Sequence, residues 1–190
     1  MSVDHDERRR RIAEVTTAVI AREGLEAATI RRIAAELGGP TKIVTYYFAD
    51  KQKLLQFTWE HLAREFFEQV AAQKSTDIVG ALMAMAAADD RSIARWRVYV
   101  AFWERAARDA DFADLQRRHL DGALRLIGDI VLSLGVAPDE VDRTSLLLNA
   151  LVQGISVQAL ADQQRWSAER IRGALSDQVE MLLGRPVPAV

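Results

Sequence analysis

Apolar residues recur along this chain at helical spacing from near its start almost to its end. Ile12, Val15, Val19 and Ile20 share one face of a helix predicted over 7–22, which Gly24 stops. Ile33 and Leu37, four apart, share a face of a short second helix, 30–37, with Thr29 placed to cap it. A third helix is predicted over 40–47, opened by Pro40, whose missing N–H costs little at a first helical position. Asp50 caps a long fourth helix, 51–73, that turns Leu54, Leu55, Trp59, Leu62, Phe66 and Val70 inward. Helices over 76–88, 92–108 and 112–134 follow, the last ended by Gly135. An eighth starts at Pro138-Asp139-Glu140, with acids at the positive end of its dipole, and runs to Ala161. Ser167 caps a ninth, through Ile171, Leu175, Val179 and Leu182, to Gly184. No strand-like alternation and no internal repeat is evident.

The expected fold is therefore all-α, with about nine helices: an N-terminal three-helix domain over 1–50, a helical body over 51–184 and a disordered tail over 185–190. The fourth helix leaves the first domain and enters the second, so no flexible linker is expected. The segment from Thr29 to Phe48 carries the most information. Ala34 is small where a second helix must cross closely, and Gly38 can take the positive φ that turns the chain. Two short helices joined in this way are a helix-turn-helix, which places its second helix in the major groove of DNA.

Charge sharpens that reading. The 190 residues carry a formal net charge of −2, unpromising for a generic nucleic-acid binder. The distribution says otherwise. From Arg8 to Gln56 there are 10 Lys/Arg against 5 Asp/Glu, while the chain beyond Gln56 carries 15 against 19. A basic head on an acidic body suits phosphate contact at one end. Composition narrows the rest. Half the residues are apolar (49%), there are only 10 Gly and 4 Pro, and there is no Cys, which excludes disulfides and thiolate metal sites. The N-terminus is charged and lacks an apolar signal core, and the greasiest run, 146–161, is broken by Asn149, Gln153, Ser156 and Gln158. A soluble cytoplasmic protein without a membrane partner is expected. His5, His61 and His119 do not follow a Glu or Asp at Glu-x-x-His spacing, and no His-Glu-x-x-His, Gly-x-Ser-x-Gly or Walker loop is present. No metal, cofactor or catalytic residue is expected.

The entry Arg11-Ile-Ala-Glu-Val15, the segment Gly24–Ala34, the turn at Gly38, and Ile43-Val-Thr-Tyr-Tyr-Phe48 followed by Asp50-Lys51 and Leu54-Leu55 resemble the TetR family of bacterial transcriptional regulators. The Ile43–Phe48 wording is closest to the choline-responsive repressors of that family. The resemblance is specific over this head; the body matches in helix count, length and the greasy eighth helix with Gly154. It implies a repressor, with DNA contacts from Thr29 and Arg31 on the second helix, from Thr41, Lys42, Thr45, Tyr46 and Tyr47 along the third, and from Lys51 at the start of the fourth. Phe48 reads as a core plug. Two departures stand out: Gly39-Pro40 replaces the usual apolar-Ser pair, and Lys42 replaces a common glycine. The run Arg8–Arg11 reads either as a further DNA contact or as the ragged start of a helix.

The resemblance also implies a homodimer joined by the last two helices, with Leu147, Leu151, Ile155, Ile171, Leu175, Val179 and Leu182 as candidate interface residues. Two reading helices would then lie about 34 Å apart and demand a palindromic operator. Alternatively these faces build the protomer's own core. For a small-molecule effector, Trp96, Tyr99 and Trp103 share one side of the sixth helix, joined by Trp59 and Phe66 on the fourth and Met83 on the fifth, with Asn149 and Gln153 offering hydrogen bonds. The same aromatic stripe also fits ordinary core. Two other classes compete with the regulator: a helical interaction module that does not bind DNA, and a small all-α enzyme.

Overall fold

The structure is a computed structural model describing residues 2–72 and 77–184, with side chains over 5–70 and 77–184. The expected tail, 185–190, and the expected fifth-helix start at Thr76 lie outside the described residues. Within them the elements are helical: α1 Ser2–Glu23, a 3₁₀ turn Leu25–Ala27, α2 Ile30–Glu36, α3 Lys42–Thr45, α4 Lys51–Ala72, α5 Ile78–Met85, α6 Asp90–Ala106, α7 Ala110–Ser133, α8 Val141–Ala161 and α9 Ala168–Leu183.

The caps follow the sequence. Thr29 and Ser167 accept hydrogen bonds from the Arg32 and Arg170 amides, and Asp50 Oδ1 accepts one from Lys53 at 2.8 Å. Two helices start later than expected. The eighth, α8, begins at Val141 rather than at Pro138. The third helix starts at Lys42 rather than at Pro40. The amides of Ile43 and Val44 bond three residues back, to Pro40 and Thr41, so this start is a 3₁₀ turn and only one α-turn follows.

The chain divides into two compact units. The first comprises residues 1–66 and 97–117, the second residues 67–96 and 118–190, so α4, α6 and α7 each contribute to both.

In the first unit, Ile12, Val19, Ile20, Ile33, Val44, Phe48 and Leu54 are all buried. Beside this core Trp59 meets Phe102 at 4.8 Å and Tyr99 at 5.3 Å, and Phe102 stacks on Phe112. Gln52 of α4 donates to Asp111 of α7 at 3.1 Å. In the second unit, α5, α8 and α9 pack together around Leu82, Leu148, Val152, Ile171, Leu175 and Val179. The end of α5 is closed from α6: Arg95 Nη2 donates to the Ala84 carbonyl and Trp96 Nε1 to that of Met85, at 2.8 and 2.9 Å. A Cβ on Gly122 would come within 2.7 Å of the Phe67 ring, which would have to shift to admit it. The α8 helix has the length and hydropathy of a bilayer-crossing segment. It nevertheless buries Thr144, Ser145, Asn149 and Ser156, and Ser156 Oγ accepts the Ala87 amide at 3.0 Å, as in a core helix.

Candidate nucleic-acid interface

The turn between α2 and α3 is built by its backbone. Gly38 sits at φ +75°, its amide bonds to Ala35 and that of Gly39 to Ala34, both at 3.0 Å. This paired closure needs a left-handed residue at Gly38, which an L side chain would strain. The turn lets Ile33 and Ala34 of α2 and Val44 of α3 bury one face each. The opposite face of α3 is left outside: Thr41, Lys42, Thr45 and Tyr46 are exposed, Tyr46 by 70%. Tyr47 is half-buried, edge-on to Tyr46 at 4.9 Å and 4.7 Å from the His5 ring. Phe48 is buried against Phe57, with the Arg9 guanidinium 4.2 Å above Phe57.

The charges on this face are unequal. Arg32 is committed: its Nη2 and Nε grip Glu23 at 2.7 and 3.1 Å, and its Nη1 grips Glu36 at 2.6 Å. Arg22 reaches Glu36 at 2.9 Å, so four residues tie α1 to α2. The Arg32 hydrogen bonds hold the Glu23 and Glu36 carboxyls below the usual range and raise the Arg32 guanidinium further. Arg31 and Lys42 are exposed and make no ion pair among the described residues. Lys51 donates to the Glu26 carboxylate at 3.1 Å and to its carbonyl at 3.3 Å. Adjacent arginines thus take different roles, one structural and one available. The sequence offers a signal for this: Arg32 and Glu36 are four apart, and Arg31 has no acid at that spacing.

All eight expected DNA-contact residues fall in the first unit, and Thr29, Arg31, Thr41, Lys42, Thr45 and Tyr46 are exposed. The expected effector residues divide. Trp59, Phe66, Tyr99 and Trp103 belong to the first unit, where the first three are at most 3% exposed and pack on one another. Met83, Trp96, Asn149 and Gln153 belong to the second, with Trp96 and Asn149 buried. Among the expected dimer residues, Ile155, Ile171, Leu175 and Val179 are at most 4% exposed inside the protomer, so they serve its own core rather than a surface. Leu147 is 43% exposed, and Leu151 and Leu182 are half-buried. Sequence reasoning missed the neighbours that are exposed on the same helices: Leu146 and Val157 on α8 and Met181 on α9.

Residues 12–56 match the family model for bacterial regulatory proteins of the tetR family, and residues 71–184 match that for the C-terminal part of BetI-type transcriptional repressors. The HTH-type transcriptional regulator PksA of Bacillus subtilis is 26% identical, over 95% of this chain and 92% of that protein. The HTH-type transcriptional regulator BetI of Vibrio atlanticus is also 26% identical, over 94% and 92%. Among solved structures, a transcriptional regulator from Rhodococcus superposes with a TM-score of 0.84 at 23% identity, over 95% of this chain and 99% of that one. One from Saccharomonospora viridis, in complex with choline, does so with a TM-score of 0.77 at 24% identity, over 92% and 96%.

Proposed function

Since the chain belongs to the TetR family of bacterial regulatory proteins and carries the BetI-type repressor body, we propose that it acts as a cytoplasmic homodimer that holds a palindromic operator and releases it when a small molecule binds. Family membership makes it a ligand-responsive, DNA-binding transcriptional regulator rather than an enzyme. The observation that supports the finer reading best is the outer face of α3, where Thr41, Lys42, Thr45 and Tyr46 are exposed after the turn at Gly38. In this reading Lys42, Thr45 and Tyr46 enter the major groove, and Thr29, Arg31, Tyr47 and Lys51 take backbone phosphates. The Thr29 hydroxyl oxygen accepts the Arg32 amide, and its proton stays available to a phosphate. The domain boundaries follow function: a reading head over 1–50 and an effector and dimer body over 51–184.

The dimer surface is the exposed apolar stripe of α8 and α9, with Leu146, Leu147, Leu151, Val157, Met181 and Leu182 as its side chains. Ala150, Gly154 and Gly173 lie exposed on the same helices and allow close approach. A monomer in sedimentation at micromolar concentration would refute this. Effector binding and DNA binding oppose each other by one shared factor, because linkage is reciprocal. We place α4 as the lever, since this single helix starts at Lys51 and continues into the second unit. Quaternary amines are the first effectors to try, given the resemblance of the head to choline-responsive repressors.

Selection of bound duplexes from a random pool, with and without quaternary amines, tests the whole reading. The expected result is an enriched inverted repeat whose recovery falls when an effector is present. Recovery of no enriched sequence would overturn DNA reading by this head.

A further inference from the structure

A groove that adjoins the contacts assigned above runs between α1 and the helix-turn-helix, with a cavity volume of about 660 Å³. Its lining includes Arg8, Arg11 and Ile12 of α1, the last 4% exposed, and Lys42, Ile43 and Tyr46 of α3 and the turn after it. At residue 39, also in the lining, a Cβ would sit 3.1 Å from Ile43 Cδ1, a tight contact that the isoleucine would have to yield to.

The lining brings together two chemistries, the cations Arg8, Arg11 and Lys42 and the aliphatic Ile12 and Ile43. A nucleic-acid strand offers the counterpart of both, an anionic phosphate followed by a largely apolar deoxyribose. Lys42 and Tyr46 belong both to the groove and to the outer face of α3, so a duplex lying against that face also meets the groove mouth. We propose that the groove holds a stretch of the operator's sugar-phosphate backbone, with Arg8 and Arg11 gripping phosphates beyond the base pairs that α3 reads. This rests on the DNA-reading function proposed above and extends it to α1. The Arg11 contact with Glu14 at 3.1 Å does not stand in the way, since both side chains are about half exposed or more (67% and 48%) and such pairs are weak in water. Arg10, exposed on the same turn but outside the groove lining, serves as the internal control.

The test compares full-length wild type, Arg8→Ala/Arg11→Ala, Arg10→Ala and Lys51→Ala on the selected duplex over a range of salt. Each phosphate contact contributes about 0.9 to the slope of log affinity against log salt. The double variant is expected to flatten that slope by roughly 1 to 2 and to leave base preference unchanged. Arg10→Ala is expected to keep the wild-type slope. In phosphate-ethylation interference, flanking phosphates that matter to the wild type are expected to stop mattering to the double variant. A double variant with the wild-type slope, beside a Lys51→Ala protein with a reduced one, overturns the groove assignment and leaves the reading head intact. A wild type that binds no duplex overturns the DNA-reading function itself, and with it this extension.

Discussion

Both units bury polar groups, Thr16, Thr58 and His61 in the first and Ser92, Thr144, Ser145, Asn149 and Ser156 in the second, but they differ in how they use charge. In the first, Arg22, Glu23, Arg32 and Glu36 form a water-washed lattice that ties α1 to α2. In the second, an ionisable ring is shielded strongly enough to shift. His119, on α7, is largely enclosed, and burial with the nearby charge of Arg95 pushes its imidazole down to about 4. Asn149 and Ser156 are also buried there.

The largest expected effect tests whether the first unit rests on its apolar heart. Phe102→Ala removes a ring packed on Trp59 and Phe112, and should cost about 3–5 kcal/mol in a denaturant titration. Arg32→Ala should cost far less. If the arginine proved the more expensive change, the contrast between core and surface would be wrong.

Acid titration separates the units next. His119 binds a proton near 6.5 when unfolded but only near 4 when folded, so the unfolded state takes up more protons between those values. Stability is therefore full above pH 6.5 and falls as pH drops toward 4, by up to about 3 kcal/mol. His119→Leu should flatten this limb in thermal melts. The carboxyls of Glu23 and Glu36 are lowered from 4.5, so their support persists above that pH and is lost only as pH falls below it. A single acid transition unchanged by His119→Leu would contradict the assignment.

The adjacent arginines sharpen the comparison within one unit. Arg31→Ala should weaken DNA binding roughly tenfold with the melting temperature unchanged, whereas Arg32→Ala should lower the melting temperature at neutral pH and leave stability in acid, where Glu23 and Glu36 are protonated, nearly unchanged. Equal loss of DNA affinity in both would erase the distinction. Smallest is Glu26→Gln, which frees Lys51 from its anionic partner. Affinity for all duplexes should rise a few-fold, since a phosphate contact positions without specifying. Unchanged binding in a gel-shift titration would show that Lys51 does not touch DNA.

Much of this architecture was legible in the chain. Thr29, Gly38, Asp50 and Ser167 each fix a helix end through local chemistry, and each cap sits where the spacing predicted. The start of α3 was not legible, because Pro40 satisfies the rule for a first helical residue while the backbone after Gly38-Gly39 enters through a 3₁₀ turn. Periodicity also marks apolar faces without saying what covers them. On α9 it marked Ile171, Leu175 and Val179 correctly as apolar, yet α5 and α8 pack against that helix within the same chain. Met181, outside that stripe, is 69% exposed. The division of the aromatic residues between two units has the same origin, since it depends on contacts distant in sequence.

The uncovered leucines, valine and methionine of α8 and α9 have a consequence for dosage. If two chains must join through them before an inverted repeat can be held, operator occupancy at low expression rises with the square of the protein's abundance. A cell that halves its supply of this regulator would then lose about three-quarters of its grip on the promoter, giving a sharper threshold than a single-chain binder provides.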